Sequence, residues 1–182
     1  MRIDLLMALT LAASLLGGAG AQAQQPSPVP PPAPAAPPAA PAPAGRPDYG
    51  PPIDNAQAKF AAAAAIAEAQ KSNVRMVIAI VGPAGELVYL EKMDGTQSAG
   101  VALAQRKART SALFRRPSKA FADQFVAGNT GFMSFPDDAR PIASEGGIPI
   151  IVNGKQIGAI GASGGTGAQD GAVATAGASA VK

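Results

Sequence analysis

The chain has 182 residues, a formal net charge of +3, an isoelectric point near 9.5 and a low charged fraction of 15%. It contains no cysteine, which excludes disulfides, thiolate metal sites and a cysteine nucleophile. It contains no histidine either, which removes the usual general base and the commonest metal ligand. The weak basicity and the lack of tryptophan do not indicate nucleic-acid binding.

Residues 1–23 have the three parts of a secretory signal peptide. Arg2 provides a basic start, an apolar run extends from Leu5 to Leu16, and small residues lead to the A-x-A pattern Ala21-Gln22-Ala23. The apolar run is shorter than the roughly 20 residues that cross a bilayer. We therefore predict cleavage after Ala23, with no membrane insertion of the mature chain. Export without cysteine indicates a bacterial protein that is periplasmic or secreted.

Residues 24–52 are dominated by proline and alanine and hold 13 of the 18 prolines. Such a segment has too little apolar surface to bury a core, and proline fixes φ, which predicts an extended, disordered tether. A proline-rich ligand for a partner domain is the alternative interpretation.

Residues 53–182 indicate one domain with a single core. The predicted elements, in chain order, are a helix over residues 56–70, strands over 74–81 and 86–93, helices over 98–114 and 118–127, strands over 148–152 and 155–162, and a helix over 168–181. Between the helical pair and the last strands, residues 128–147 are predicted to form a long irregular loop.

Local signals support several of these elements. Asp54 and Gln57 form a capping-box pair before the first helix, Ser98 and Ser118 can cap the middle helices, and Asn153-Gly154 is a strong hairpin signal. The order α-ββ-αα-ββ-α favours an α/β (α+β) domain in which helices flank one antiparallel sheet.

Six basic residues and no acidic residue lie between Ser98 and Lys119. They are Arg106, Lys107, Arg109, Arg115, Arg116 and Lys119. One interpretation is a solvated face that complements the helix dipole. The other is a site for carboxylates or phosphates, since arginine suits bidentate contact with such anions.

Glycines surround the second predicted hairpin, at Gly146-Gly147 before it and in residues 161–167 after it. Their backbone N–H groups can cradle an anion at the start of the last helix. Tight turns and close packing are the alternative interpretation. No Gly-Lys-Ser/Thr follows at the required spacing, so this is not a P-loop.

Taken together, these segments resemble the GlcG/HbpS-like family of haem-binding and haem-degrading domains. The matching segments are the alanine-rich helix, Lys92-Met93-Asp94-Gly95, Lys107-Ala108-Arg109-Thr110-Ser111-Ala112, Arg116-Pro117-Ser118, Gly146-Gly147-Ile148-Pro149-Ile150, the Asn153-Gly154 hairpin, residues 157–165 and Asp170. The resemblance implies an antiparallel sheet of five strands, a homo-oligomer and a role in haem binding. It implies a fifth strand that the residue patterns alone do not reveal.

The resemblance and the basic and glycine-rich segments together indicate a set of ligand-binding residues. The set consists of Met93, Lys107, Arg109, Thr110, Gly147, Ser163, Gly164 and Gly165. The chain departs from the family in two respects, because Gly82 replaces an aspartate at the end of the first long strand and no histidine can ligate haem iron. The resemblance leaves Met93, Tyr89, Lys107 and Thr110 as weaker axial ligands.

Three functions follow from these observations. The first is an exported module that binds haem or a related anionic tetrapyrrole, with the propionates against the basic helix. The second is an enzyme that degrades haem or acts on a small carboxylate, although no nucleophilic triad can be built and no catalytic residue is assigned. The third is an oligomeric partner-binding protein without a ligand. The sequence assigns no metal ligands.

Overall fold

The computed structural model describes residues 45–182, so the predicted signal peptide and residues 24–44 of the predicted tether lie outside the described residues. The elements are β1 (Asp48–Tyr49), α1 (Asn55–Lys71), β2 (Val77–Val81), β3 (Leu87–Lys92), α2 (Gly100–Phe114), α3 (Lys119–Val126), a short 3-10 helix (Gly131–Ser134), β4 (Gly147–Val152), β5 (Lys155–Ser163) and α4 (Gly167–Ala180). Within these residues, no helix is long and apolar enough to span a membrane.

The five strands form one sheet around β5. β5 pairs antiparallel with β2 and with β4, and β2 pairs antiparallel with β3. β1 pairs with the start of β5 in the parallel direction, with Asp48 opposite Lys155 and Tyr49 opposite Gln156. The prediction of five strands flanked by helices is confirmed, but that of a purely antiparallel sheet is wrong, because β1 makes the sheet mixed.

The sheet lies between two helical layers. Met76, Ile78 and Ile80 of the β2 segment face the buried alanines of α1 and the apolar residues of α4. The alternate residues of β2 face the alanines of α2. β2 is therefore buried on both faces, which explains why its sequence is continuously apolar rather than alternating.

Small residues allow the helices to approach the sheet closely. A Cβ at Gly161 of β5 would contact the carbonyl oxygen of Ala104 in α2 and lie 2.6 Å from the amide nitrogen of Ala108. On the other side of the sheet, a Cβ at Gly177 of α4 would lie 2.7 Å from the carbonyl oxygen of Ala61 in α1. Separations this short leave no room for a side chain, so Gly161 sets the distance of α2 from the sheet and Gly177 sets the distance between α1 and α4.

The capping predictions have different outcomes. Asp54 and Gln57 form both hydrogen bonds of the predicted capping box. α2 begins after Ala99 with no side-chain cap, so the prediction for Ser98 is wrong. Ser118 precedes α3 but does not cap it, because its hydroxyl donates to the Ser144 carbonyl at 2.6 Å and accepts from the Gly147 N–H.

Candidate functional site

A buried ion pair joins α2 to α4. The Lys107 ammonium donates to Asp170 Oδ2 at 2.6 Å, and the two side chains are only 3% and 4% exposed. Lys107 also donates to the Ala162 carbonyl of β5 at 3.2 Å. Lys107 therefore lies inside the domain, unlike a solvated residue of a charged helix face.

The same carboxylate occupies the glycine-rich turn between β5 and α4. Asp170 Oδ1 accepts the N–H groups of Gly164 at 3.2 Å and Gly165 at 2.9 Å. These are the donors that the sequence predicts for an anion cradle. The anion that they hold in the structure is a carboxylate of the chain itself.

The glycine pair before β4 lies against this network. Gly146 has a φ of +119°, and a Cβ there would lie 2.7 Å from Asp170 Cβ and 3.1 Å from Lys107 Nζ. A Cβ at Gly147 would contact the Lys107 carbonyl oxygen, and the Gly147 N–H already donates to Ser118. The geometry of Gly146-Gly147 therefore serves close packing, which is the alternative interpretation of the glycines.

The structure brings Lys107, Gly147 and residues 163–165 together but separates them from Arg109. Ser163 is buried at the end of β5. Arg109 lies on the exposed side of α2, where it donates to the carbonyls of Gly85 and Asp138. It borders a cavity of about 370 Å³ between α2 and the turn that joins β2 to β3.

The turn at Gly82 shows how the chain accommodates its departure from the family pattern. The position of a Cβ at Gly82 is in contact with the carboxylate of Glu86. Glu86, on the other side of the turn, therefore places its carboxylate next to position 82, where the resemblance implies an aspartate.

The four atoms that the resemblance leaves as axial ligands all have partners within the domain. Met93 Sδ accepts the Met76 N–H at 3.3 Å, and Thr110 Oγ1 accepts the Ile142 N–H at 3.0 Å. Tyr89 donates to Glu91 Oε2 at 2.9 Å, and that hydrogen bond is the main cause that raises the pKa of the phenol. Lys107 and Tyr89 would have to give up the protons that they donate to Asp170 and Glu91 in order to bind iron.

The strongest candidate site lies elsewhere, between the start of the described chain, the end of α2 and β4. We call it the arginine cleft, and its lining residues are Gly45, Arg46, Pro47, Arg115, Arg116, Pro117, Ile148, Pro149 and Ile151. Its volume of about 570 Å³ falls within the range typical of small-molecule sites. Prolines and isoleucines provide an apolar wall, and three arginines provide the charge.

Arg116 has an unusual environment in this cleft. Its guanidinium lies 4.2 Å from the centre of the Phe121 ring, and its Nε is buried without a hydrogen-bond partner in the described structure. Burial, followed by the nearby charge of Arg46, lowers the pKa of Arg116 from its usual value. Within residues 45–182, neither Arg46 nor Arg116 has a carboxylate at ion-pairing distance.

An aromatic cavity adjoins the arginine cleft and shares Arg46 and Arg116 with it. This second cavity, of about 450 Å³, is lined by those two arginines, by Phe114, Phe121, Phe132 and Phe135, and by Gln124, Asn129 and Gly131. Phe121 makes edge-to-face contacts with Phe114 and Phe132, with ring centroids 4.8 and 5.4 Å apart. The arginine pair therefore lies between an apolar wall and an aromatic cluster.

Arg115 has a structural role although it is next to Arg116 in sequence. It ends α2 in the left-handed conformation, with a φ of +52°. Its guanidinium lies 5.2 Å from the centre of the Tyr49 ring and donates to the Pro47 carbonyl. The turn at Arg115 thus ties α2 to β1 and leaves Arg116 in the cleft.

The sequence singles out Arg115 and Arg116 within the basic segment, but it gives no reason to include Arg46 or the β4 residues. Arg46 lies in the proline-rich stretch, where the composition predicts a tether. The available signal is that Arg46 is the one cation of residues 24–52. Among the described residues, no group of three or more carboxylate, thiol or imidazole side chains forms a metal site.

A model of the HbpS-like family, described as haem-degrading proteins, matches residues 53–179. The chain belongs to the HbpS-like family. This confirms the resemblance that the sequence segments indicate. The family model begins after the residues that form one wall of the arginine cleft.

Individual relatives of the HbpS-like family support this assignment. The chain is 39% identical to protein GlcG of Escherichia coli K12 over 96 residues, which are 53% of this chain and 69% of that protein. The structure of a double mutant of HbpS from Streptomyces reticuli matches with a TM-score of 0.66 and 27% identity, over 82% of this chain and 99% of that one. PduOC in complex with haem has a TM-score of 0.66 and 24% identity, over 72% of this chain and 96% of that one, and shares the fold.

Replacing Lys107 by methionine tests the buried ion pair. We expect Lys107→Met to lower the free energy of unfolding by about 3–5 kcal/mol, because Asp170 would keep a buried charge without its counter-ion. The measurement is urea denaturation followed by circular dichroism.

Lys119 provides the matched control, since its ion pair with Asp123 has the same length of 2.6 Å but the side chains are 51% and 63% exposed. Lys119→Met should cost far less, because solvent screens that pair. Equal losses for the two variants would show that burial does not determine the contribution of Lys107.

Proposed function

We propose that the chain is an exported module that binds haem or a related anionic tetrapyrrole in the arginine cleft. The observation that carries the proposal is the pair Arg46 and Arg116, two cations without a carboxylate partner among the described residues, beside an apolar wall. A tetrapyrrole such as haem combines a flat apolar ring with two propionates, and the cleft offers a surface for each part.

The chemistry of the cleft suits the ring and its acid groups. Ile148, Pro149 and Ile151 belong to β4, whose outer edge has no partner strand in the described structure. Guanidinium groups bind carboxylates through short, charge-assisted hydrogen bonds, and a partly desolvated guanidinium binds them more strongly. The buried Nε of Arg116 is a donor that a propionate can satisfy.

The family supports the same ligand class. The HbpS-like family model is described by haem degradation, and PduOC, which shares the fold, has been crystallised with haem. The described lining of the cleft supplies cations and apolar surface, which suit the binding of such a ligand, and no catalytic residue is assigned in it. Binding, rather than catalysis, is therefore the function that the geometry favours.

A hemin titration tests this proposal. We expect a saturable change in Soret absorbance, and Arg116→Ala should weaken binding by about 1–3 kcal/mol because it removes a charge-assisted contact. Arg109→Ala is the matched control, since it removes an exposed arginine of α2 that lies outside the cleft.

The two variants separate the cleft from the basic helix face. An unchanged Kd for Arg116→Ala, with weaker binding for Arg109→Ala, would place the propionates on the helix face and overturn the assignment to the cleft. The absence of any saturable change at micromolar hemin would overturn haem binding itself. Circular dichroism of both variants controls for loss of fold.

Export is part of the proposal and rests on the tripartite N-terminal sequence. When the chain is expressed in a bacterium, the mature protein should be recovered from the periplasm or the medium with Gln24 as its first residue. N-terminal sequencing of the fractionated protein is the measurement. Recovery in the cytoplasm with residue 1 or 2 as the N-terminus would contradict export.

We also propose that the chain forms a homo-oligomer through an apolar patch on α3 and the 3-10 helix. The patch consists of Phe125, Val126, Met133 and Phe135, and Val126 is 87% exposed. These four exposed apolar residues fall within residues 125–135, and exposed apolar patches are typical of association surfaces.

Light scattering of the purified chain measures this association. Val126→Asp should lower the molar mass, because it would bury a charge at the interface. Phe60→Ser, which alters an exposed apolar residue of α1 outside the patch, should leave the mass unchanged. A wild-type chain that is monomeric would contradict the proposal.

A further inference from the structure

The residues that line the arginine cleft do not fit the iron of haem. Proteins hold haem iron with histidine, cysteine, methionine or tyrosine side chains. Histidine and cysteine are absent from the whole sequence. Methionine and tyrosine occur in the described residues at Tyr49, Met76, Tyr89, Met93 and Met133, and none of these five residues lines the arginine cleft.

The described lining of the cleft has no replacement for these ligands. Its polar side chains are Arg46, Arg115 and Arg116, and a guanidinium keeps its proton in proteins, so it has no lone pair for a metal. The remaining lining residues are glycine, prolines and isoleucines. An iron atom at this site would therefore meet no axial ligand from the residues that the structure describes.

The cleft does fit the rest of the ligand. Arg116 is a cation with a buried, unsatisfied Nε, it stacks on Phe121, and it lies near the second cation Arg46. Two adjacent cations without a counter-charge favour a ligand that carries two negative groups. The edge of β4 supplies apolar surface for a flat ring.

From this mismatch between the iron and the donor set, we propose that the site recognises the porphyrin dicarboxylate irrespective of its central metal. The inference rests on the proposed function and deepens it. The ligand class becomes a dicarboxylic porphyrin, whether metal-free or metallated, that is held by its acid groups and ring faces. Iron contributes little to the affinity of such a site.

The test compares four probes on the purified chain: hemin, hemin with both axial positions filled by cyanide, metal-free protoporphyrin IX, and the dimethyl ester of protoporphyrin IX. Absorbance reports on the two haem forms, and fluorescence reports on the two metal-free forms. We expect the Kd values of the first three probes to agree within about tenfold. The ester should bind at least about tenfold more weakly than the free acid, because it lacks the charged groups.

Each outcome separates this inference from the proposed function. Tight binding of hemin with much weaker binding of metal-free protoporphyrin would overturn metal independence while leaving haem binding intact. Much weaker binding of hemin when cyanide fills both axial positions would have the same meaning. Equal binding of the ester would overturn recognition through the carboxylates. Failure of all four probes to bind would overturn the proposed function as well.

Variants outside the cleft provide a second readout. Tyr89→Phe and Met93→Leu remove two of the four axial ligands that the resemblance leaves for the iron. The spectrum of bound hemin should not change in either variant if the iron has no axial ligand from these residues. A shift of the Soret band in either variant would identify that residue as a ligand and overturn the inference.

Discussion

The buried ion pair of Lys107 and Asp170 is the interaction that holds α2, β5 and α4 together. Charges buried this deeply are stable only when each polar atom has a partner, and here the partners are atoms of the protein itself. The ammonium contacts α4 and the carbonyl of β5, and the carboxylate closes the turn between them. One pair of side chains thus fixes α2 against the sheet, sets the start of α4 and requires glycine at position 146.

The basic residues of α2 and of the turn that follows it have different roles. Lys107 neutralises a charge inside the domain, Arg109 binds backbone carbonyls on the exposed side, and Arg115 ties the helix end to β1. Arg116 is the residue whose guanidinium is partly desolvated and keeps an unused donor. The basic run that looks uniform in sequence is therefore a set of distinct contacts. Arg116 alone among these four residues has a buried donor that no other described group accepts from.

The sequence predicts the parts of this protein that are determined locally. The capping box at Asp54 and the hairpin at Asn153-Gly154 depend on a few neighbouring residues, and both form where expected. β1 was missed because two residues have no pattern of their own and are held by pairing with the distant Lys155 and Gln156. Ser118 was misassigned as a cap for the same reason, because its hydroxyl bonds to Ser144 and Gly147, which lie far along the chain.

The candidate site could not be predicted for the same reason, because it is built from segments that are distant in sequence. Lys107 pairs with Asp170, and Arg116 shares the arginine cleft with Arg46 and β4. Arg46 stands two residues before β1, and with Gly45 and Pro47 it forms one side of the cleft. The family match begins only at residue 53. A fragment cut at that boundary would retain the helices and the four longer strands but would lose a wall of its cleft. The boundary of the family match and the boundary of the proposed site therefore differ by the segment that carries Arg46.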